Sequence, residues 1–249
     1  MPTAALSLLT LLILAVATLY SAVGQAGASG YLAVMALVGL TSEVMKPTAL
    51  VLNILVASIA VYKFYRVQPF NWSLLWPFAL GSVPLAWVGG SLLPPDSIYR
   101  PLVAVALLVA AVGLLRKAPA PAQVAARPVQ PLLAVLVGAA IGFVSGLTGV
   151  GGGIFLSPLI LLLGWAGAKE TTGVSAAFIW LNSVAGLAGH TASLATVPSF
   201  LPVLVIAAIV GGWIGAGYGS KHLGSQAIQR VLAGVLFVAG IRMMFSRDN

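Results

Sequence analysis

Two stretches of the chain place closely spaced glycines and small polar residues inside apolar sequence. Ser145–Pro158 reads Ser-Gly-Leu-Thr-Gly-Val-Gly-Gly-Gly-Ile-Phe-Leu-Ser-Pro, and a looser copy, Ser21–Leu32, reads Ser-Ala-Val-Gly-Gln-Ala-Gly-Ala-Ser-Gly-Tyr-Leu. Glycine costs a helix interior roughly 1 kcal/mol relative to alanine, so both stretches predict a broken helix. Free N–H groups and the positive ends of helix dipoles at such breaks favour a negatively charged ligand. The predicted chemistry is therefore the binding of a small anion.

The candidate substrate-binding residues lie at these breaks, recur at matching positions of the two halves or, in the case of Ser175, place a hydroxyl inside an apolar segment. They are Gln25, Ser29, Asn53, Thr148, Gly149, Gly151, Gly152, Gly153, Ser175 and Asn182, together with Arg100 and Arg230. A small hydroxyl residue in a membrane helix more often serves helix packing than ligand binding. An amide in the middle of such a helix is costly to bury, so packing and a binding site explain Asn53 and Asn182 equally well. Each arginine begins the last apolar segment of its half, where it can reach lipid headgroups or bind an oxyanion.

Other chemistries lack the residues they need. The four acidic residues, Glu43, Asp96, Glu170 and Asp248, fall in predicted loops or the tail. Carboxylates inside the membrane usually mark cation pathways, so their absence argues against a cation carrier. We find no metal-ligand cluster, Walker motif, nucleophile elbow or dinucleotide fingerprint, and we expect neither metal nor cofactor. A membrane-embedded enzyme is the less favoured alternative.

Composition predicts an all-α, polytopic transmembrane protein. The chain of 249 residues is 60% hydrophobic and 6% charged, with a mean hydropathy of +1.09, whereas soluble domains carry about a quarter of charged residues. The net charge of +8 comes from 12 Lys and Arg spread singly between apolar segments. That spread is typical of loops that orient a membrane protein, so the lipid bilayer is the expected partner and nucleic acid is not. We expect the bacterial cytoplasmic (inner) membrane.

An internal repeat divides the chain. A shift of 124 positions places Ser21 on Ser145, a shift of 129 places Asn53 on Asn182, and a shift of 130 places Arg100 on Arg230. We predict two pseudo-symmetric transmembrane repeats, 1–115 and 131–249, joined by a Pro/Ala-rich linker, 116–130, that faces the cytoplasm. The apolar start resembles a signal peptide, but it lacks a preceding basic residue and matches the second half, so we interpret it as mature structure.

Each half contains about five apolar stretches, and the first two are short and separated by the glycine break. They fit one broken crossing, a re-entrant hairpin or two thin crossings. The positive-inside rule favours about four crossing units per half, which places both termini and the linker in the cytoplasm.

The segments Gly149–Pro158 and Asn182–His190 resemble those of the TauE/SafE sulfite exporter family, although Gln25–Ser29 stands where the family often repeats three glycines. This resemblance implies a secondary transporter of a small sulfur-containing anion, such as sulfite, sulfoacetate or another organosulfonate. Such a transporter can couple the anion to protons. A channel or a carrier for another small anion is the alternative.

Overall fold

The computed structural model of this chain describes residues 3–67, 70–115, 128–190 and 198–221, with parts of 233–244. Its helices are α1 (Thr3–Ala22), α2 (Ala28–Leu37), α3 (Ser42–Tyr65), α4 (Trp72–Ser91), α5 (Asp96–Leu115), α6 (Pro131–Thr148), α7 (Gly153–Leu163), α8 (Ala168–Gly189) and α9 (Leu201–Lys221). Within these ranges, seven helices are long and apolar enough to cross a membrane, while α2 and α7 are shorter. The predicted class, an all-α polytopic membrane protein, is confirmed.

The helices break where the glycines predict. The first break, residues 23–27, separates α1 from α2, and the second break, residues 149–152, separates α6 from α7. Positive φ angles occur at Gly24 and Gly27 in the first break and at Gly149, Gly151 and Gly152 in the second. A left-handed backbone ends the ladder of helical hydrogen bonds, and glycine adopts it without the steric cost of a Cβ atom.

Helices α1 and α2 form a re-entrant hairpin. The backbone at Gly24 lies against Thr172, near the start of α8, and approaches the ring of Phe64 near the end of α3. Ala28 then contacts Asn53 at the middle of α3, and α2 runs back toward residues 38–41, which lead into the start of α3. Of the three arrangements left open by the sequence, the structure shows the hairpin.

Helices α6 and α7 form the second hairpin in the same way. Gly149 lies against Lys46, near the start of α3, and Gly151 lies against Asn53 at its middle. Helix α7 then returns to the loop that precedes α8. The two hairpins therefore enter the bundle from opposite ends of α3, and both of their breaks approach its midpoint.

Close helix crossings hold the two halves together. Helix α4 runs parallel to α6, and α1 runs parallel to α9. A Cβ atom added at Gly142 of α6 would lie 2.3 Å from the carbonyl oxygen of Ser82, and one added at Gly215 of α9 would lie 2.0 Å from that of Thr18. Only glycine permits these backbones to approach so closely, as in other small-residue membrane contacts.

Helices α3 and α8 form the central antiparallel pair. Asn53 pairs with Ser183 near the middle, while Ala60 and Phe64 pack against Ala176 farther along. In the predicted repeat, α1 corresponds to α6, α3 to α8 and α4 to α9. The contact between α4 and α6 then has its symmetric counterpart in the contact between α9 and α1. Because α3 and α8 are antiparallel, these repeats would have inverted orientations in the membrane, and the repeat itself stays a prediction.

The helix directions correct the expected arrangement of the membrane sides. We define the Ser42 end of the bundle by the starts of α3 and α5, where Ser42 is hydrogen-bonded to Asp96. The opposite Lys63 end contains Lys63, Arg66, the end of α5 and the start of α6. Because α1 ends beside Phe64, it begins at the Ser42 end. The N-terminal end of α1 and the helix ends that flank the linker, Leu115 and Pro131, thus lie at opposite ends of the bundle and cannot both face the cytoplasm. The expected arrangement treats each broken pair, α1–α2 and α6–α7, as one crossing, whereas a hairpin returns to the side from which it entered.

Candidate substrate site

Asn53 joins the two breaks at the middle of the bundle. Its Oδ1 accepts a hydrogen bond from the N–H of Ala28 at 3.1 Å, and its Nδ2 donates to Oγ of Ser183 at 2.8 Å. On the second break, a Cβ atom added at Gly151 would lie 2.2 Å from the same Nδ2. The Asn53 side chain is fully buried. The N-termini of α2 and α7 therefore approach one amide group, and the site at Asn53 stays a prediction.

These two N-termini carry unused donors. Within the described ranges, no hydrogen bond engages the N–H groups of Ser29 and Gly30 in α2 or those of Gly153 and Ile154 in α7. The first turn of a helix leaves such groups free and carries the positive end of the dipole. Two positive helix ends at one buried place favour a negative ligand.

The carboxylates that the structure describes lie away from this place. Glu43 and Asp96 occupy the first turns of α3 and α5 at the Ser42 end. Glu170 is hydrogen-bonded to Asn71 near the Lys63 end. Since none of these groups neutralises the helix ends near Asn53, the centre of the described bundle favours an anion over a cation.

Ser29, Thr148 and Ser175 serve the local structure. Ser29 donates to the hydroxyl of Tyr20 at 3.0 Å, and Ser175 accepts from the hydroxyl of Ser157 at 2.8 Å. The Thr148 hydroxyl donates to the carbonyl of Val144 at 2.7 Å, one turn earlier. Their side chains therefore stabilise the hairpins, while Ser29 still offers its backbone N–H.

Gln25 remains a candidate ligand. It lies in the first break with 8% of its surface exposed, and its backbone N–H donates to the carbonyl of Tyr20 at 2.9 Å. No hydrogen bond ties its side-chain amide to another residue of the described ranges. The amide can therefore turn toward a solute.

Asn182 presents an acceptor where the prediction required a donor. Its Nδ2 donates to the carbonyl of Phe178 at 2.8 Å, within α8, and this bond determines the orientation of the amide. Its Oδ1 is buried without a hydrogen-bond partner among the described residues. A free carbonyl oxygen repels an anion, so this orientation does not suit the ligand role predicted for Asn182.

Two hydroxyl groups that the sequence did not assign to the site are free to donate. Ser21 and Ser145 lie at the ends of α1 and α6, just before the breaks, and both are fully buried. Neither Oγ atom has a partner in the described part of the chain. The Cβ atom of Ser145 lies 3.4 Å from the position of a Cβ atom added at Gly152. The sequence did contain a signal for this pair, because a shift of 124 positions places Ser21 on Ser145.

Tyr99 and Lys46 are structural residues that the sequence did not reveal. The Tyr99 hydroxyl donates to the carbonyl of Thr148 at 2.9 Å and so satisfies the backbone just before the second break. Nζ of the buried Lys46 donates to the carbonyls of Gly90 and Leu92, each at 3.0 Å, at the C-terminal end of α4. A cation is stabilised at that negative end of the helix dipole.

Of the two candidate arginines, the structure describes Arg100. Arg100 forms an ion pair of 3.2 Å with Asp96 on the same helix, at the Ser42 end. Arg230 lies outside the described residues. Across the ranges that the structure describes, no three His, Cys, Asp or Glu side chains are grouped as a metal site would need.

Comparison with known proteins agrees with this architecture. The family described as sulfite exporter TauE/SafE matches residues 9–243. The chain belongs to this family. A relative from Sinorhizobium fredii (strain NBRC 101917 / NGR234), named "Probable membrane transporter protein y4hK", is 42% identical over 233 residues, which are 92% of this chain and 94% of the relative. No solved structure matches. The family resemblance is confirmed, and this TauE/SafE member is a membrane transporter.

Proposed function

We propose that this protein is a secondary transporter that carries a small sulfur-containing anion, sulfite or an organosulfonate, across the bacterial cytoplasmic membrane. The observation that carries the proposal is the approach of two half-helix N-termini to Asn53. The fixed amide dipoles there favour an anion. Because they carry no formal positive charge, they do not hold the anion too tightly for release. The sulfur chemistry comes from the family, whose printed description is a sulfite exporter.

The donors suit a group with several oxygen atoms. On the second break, the N–H groups of Gly153 and Ile154 and the hydroxyl of Ser145 can each donate to a different oxygen. On the first break, the N–H of Ser29 and the side chain of Gln25 can do the same. A sulfite or sulfonate group presents three oxygens, which spread its charge over such a set of donors.

Transport by purified protein in liposomes tests this proposal. Preloaded vesicles should exchange internal sulfite or sulfoacetate for radiolabelled sulfite, and the rate should saturate with concentration. Sulfoacetate should compete, whereas sodium and potassium should have no effect beyond ionic strength. Recovery of the transported solute unchanged would argue against an enzyme. Binding of a cation with indifference to sulfite and sulfonates would overturn the proposal.

The same vesicles separate a carrier from a channel. Counterflow against a gradient requires a binding site that faces one side at a time, so it should be seen for a carrier and not for a channel. An imposed pH gradient should drive accumulation if protons are coupled to the anion. A linear, unsaturable flux without counterflow would favour the channel alternative.

A matched pair of variants tests the site itself. Gln25→Leu removes the free amide in the first break and should lower sulfite transport about tenfold or more, since a hydrogen bond to a charged group contributes roughly 1.5–3 kcal/mol. Gln130→Leu makes the same change at an exposed position before α6 and should transport normally. Equal rates in the two variants would remove Gln25 from the site.

A further inference from the structure

The two halves differ at equivalent positions beside the breaks. In the first half, the N–H that begins α2, that of Ala28, is bonded to Oδ1 of Asn53. Asn182 matches Asn53 at a shift of 129 positions, yet its Oδ1 is buried without a partner among the described residues. The N–H that begins α7, that of Gly153, likewise has no described acceptor. One amide therefore caps its half-helix and the other does not.

The position of α7 on α8 explains the missing bond. A Cβ atom added at Gly153 would lie 2.3 Å from Cδ1 of Ile179 and 3.4 Å from the carbonyl oxygen of Ser175. Ile179 precedes Asn182 by about one helical turn. Helix α7 thus begins about one turn short of the acceptor that corresponds to Asn53. A buried donor and a buried acceptor left apart are unfavourable, and pairing them would relieve both.

We propose that Asn53 and Asn182 are positioning residues that cap α2 and α7 alternately during transport. In the described state Asn53 holds Ala28; in the state open to the opposite side, α7 moves about one turn along α8 so that Asn182 accepts the N–H of Gly153, and Ala28 leaves Asn53. This inference rests on the proposed transport function. Repeats of transporters move against one another in alternating access, and one-turn shifts between packed helices are known.

This exchange also releases the anion. While α7 is uncapped, the N–H of Gly153 is available to a bound oxyanion. Once Asn182 accepts that N–H, the donor is occupied, and the anion loses one of its ligands as the site changes sides. The free acceptor on Asn182, which does not suit an anion, thereby has a role in the cycle.

The hydrogen bond between Ser157 of α7 and Ser175 of α8, 2.8 Å long, belongs to the described state. A shift of α7 along α8 must break it. The chain contains no cysteine, so the double variant S157C/S175C carries the only thiols, and side chains this close can form a disulfide. Oxidation should lower sulfite counterflow about tenfold or more, and reduction should restore it. Single variants S157C and S175C control for oxidation itself.

The rate of disulfide formation reports the equilibrium between the described state and the opposite state, and it can be measured without substrate. In the S157C/S175C background, Asn182→Ala removes the cap of the opposite state and should speed cross-linking, whereas Asn53→Ala removes the cap of the described state and should slow it. Each variant should change the cross-linking rate about fivefold, because one hydrogen bond contributes about 1 kcal/mol. Without the extra thiols, Asn182→Ala should lower turnover by a similar factor while sulfite affinity stays within about twofold.

These outcomes separate the two proposals. If the wild-type protein transports no sulfur oxyanion but the two asparagine variants shift cross-linking in opposite directions, the substrate is wrong and the exchange stands. If wild-type transport is present but the oxidised S157C/S175C protein transports as fast as the reduced one, the exchange is overturned. Cross-linking rates that shift in the same direction, or not at all, would overturn it equally.

Discussion

Nδ2 of Asn53 and Oγ of Ser183 are joined by a 2.8 Å hydrogen bond at the middle of the antiparallel α3–α8 pair. The two helices come from different halves of the chain, and Asn53 also holds the first N–H of α2. A displacement of α8 is therefore transmitted through one side chain to the start of a half-helix in the other half. This link belongs to the described state, and it suits a transporter whose two halves move against one another and exchange such contacts.

Asn53→Leu should lower stability as well as transport. The change leaves the N–H of Ala28 and the hydroxyl of Ser183 buried and unpaired, at a cost of roughly 1–3 kcal/mol each. The thermal midpoint of the purified protein in detergent should fall clearly below that of wild type, while Gln130→Leu, an exposed amide before α6, should leave it unchanged. Equal midpoints for all three proteins would contradict the bridging role of Asn53.

Gly151→Ala should disrupt the second break. Gly151 has φ of +83°, where L-residues are strained, and an added Cβ atom would meet Nδ2 of Asn53 at 2.2 Å. We expect a loss of stability and of sulfite transport together. Gly217→Ala is the matched control, because nothing lies within 4 Å of its added Cβ atom and alanine favours a helix by up to about 1 kcal/mol. A variant at Gly151 that melts and transports like wild type would exclude a tight contact with Asn53.

The Lys63 end of the bundle should face the cytoplasm. Lys63 and Arg66 lie at this end, and positive loops are retained inside. In cells expressing the cysteine-free protein, Leu93→Cys, which is exposed at the Ser42 end, should react with an impermeant maleimide. Arg66→Cys should react only after the membrane is permeabilised. The reverse labelling pattern would place the linker outside.

Acidification should destabilise the protein through His190. Burial lowers the pKa of His190, the charge of nearby Lys46 lowers it further, and the hydrogen bond to the carbonyl of Gly90 opposes both effects. A histidine with a lowered pKa resists protonation in the folded state, so stability is fully present above the ordinary pKa of about 6.5 and is lost as the pH falls through and below it.

Thermal midpoints measured between pH 8 and pH 5 check this expectation. The decrease on acidification should be smaller in His190→Gln than in wild type. His222→Gln removes the second of the two histidines of the chain and serves as the control, with the wild-type decrease retained. The expectation fails if His190→Gln loses as much stability on acidification as wild type does.

The sequence alone was sufficient for the features that depend on local composition. Apolar stretches of spanning length predicted the long helices, and the glycines around Gly24 and Gly151 predicted both breaks, because helix propensity and left-handed backbone are properties of a few neighbouring residues. The shared amide at Asn53 and Asn182 pointed to the helices that meet at the centre. The segments Gly149–Pro158 and Asn182–His190 were together enough to indicate the family.

The tertiary structure alone decided the direction of the chain after each break and the partner of each polar group. A glycine break ends a ladder of hydrogen bonds, but it does not determine whether the next helix continues or turns back; packing against α3 and α8 does. Tyr99 reaches Thr148, and Lys46 reaches the end of α4, only because these helices are neighbours. The same packing leaves Oδ1 of Asn182 without a described partner, while both polar atoms of the Asn53 side chain are hydrogen-bonded. The difference arises because α2 begins beside Asn53 on α3, whereas α7 begins about one turn away from Asn182 on α8.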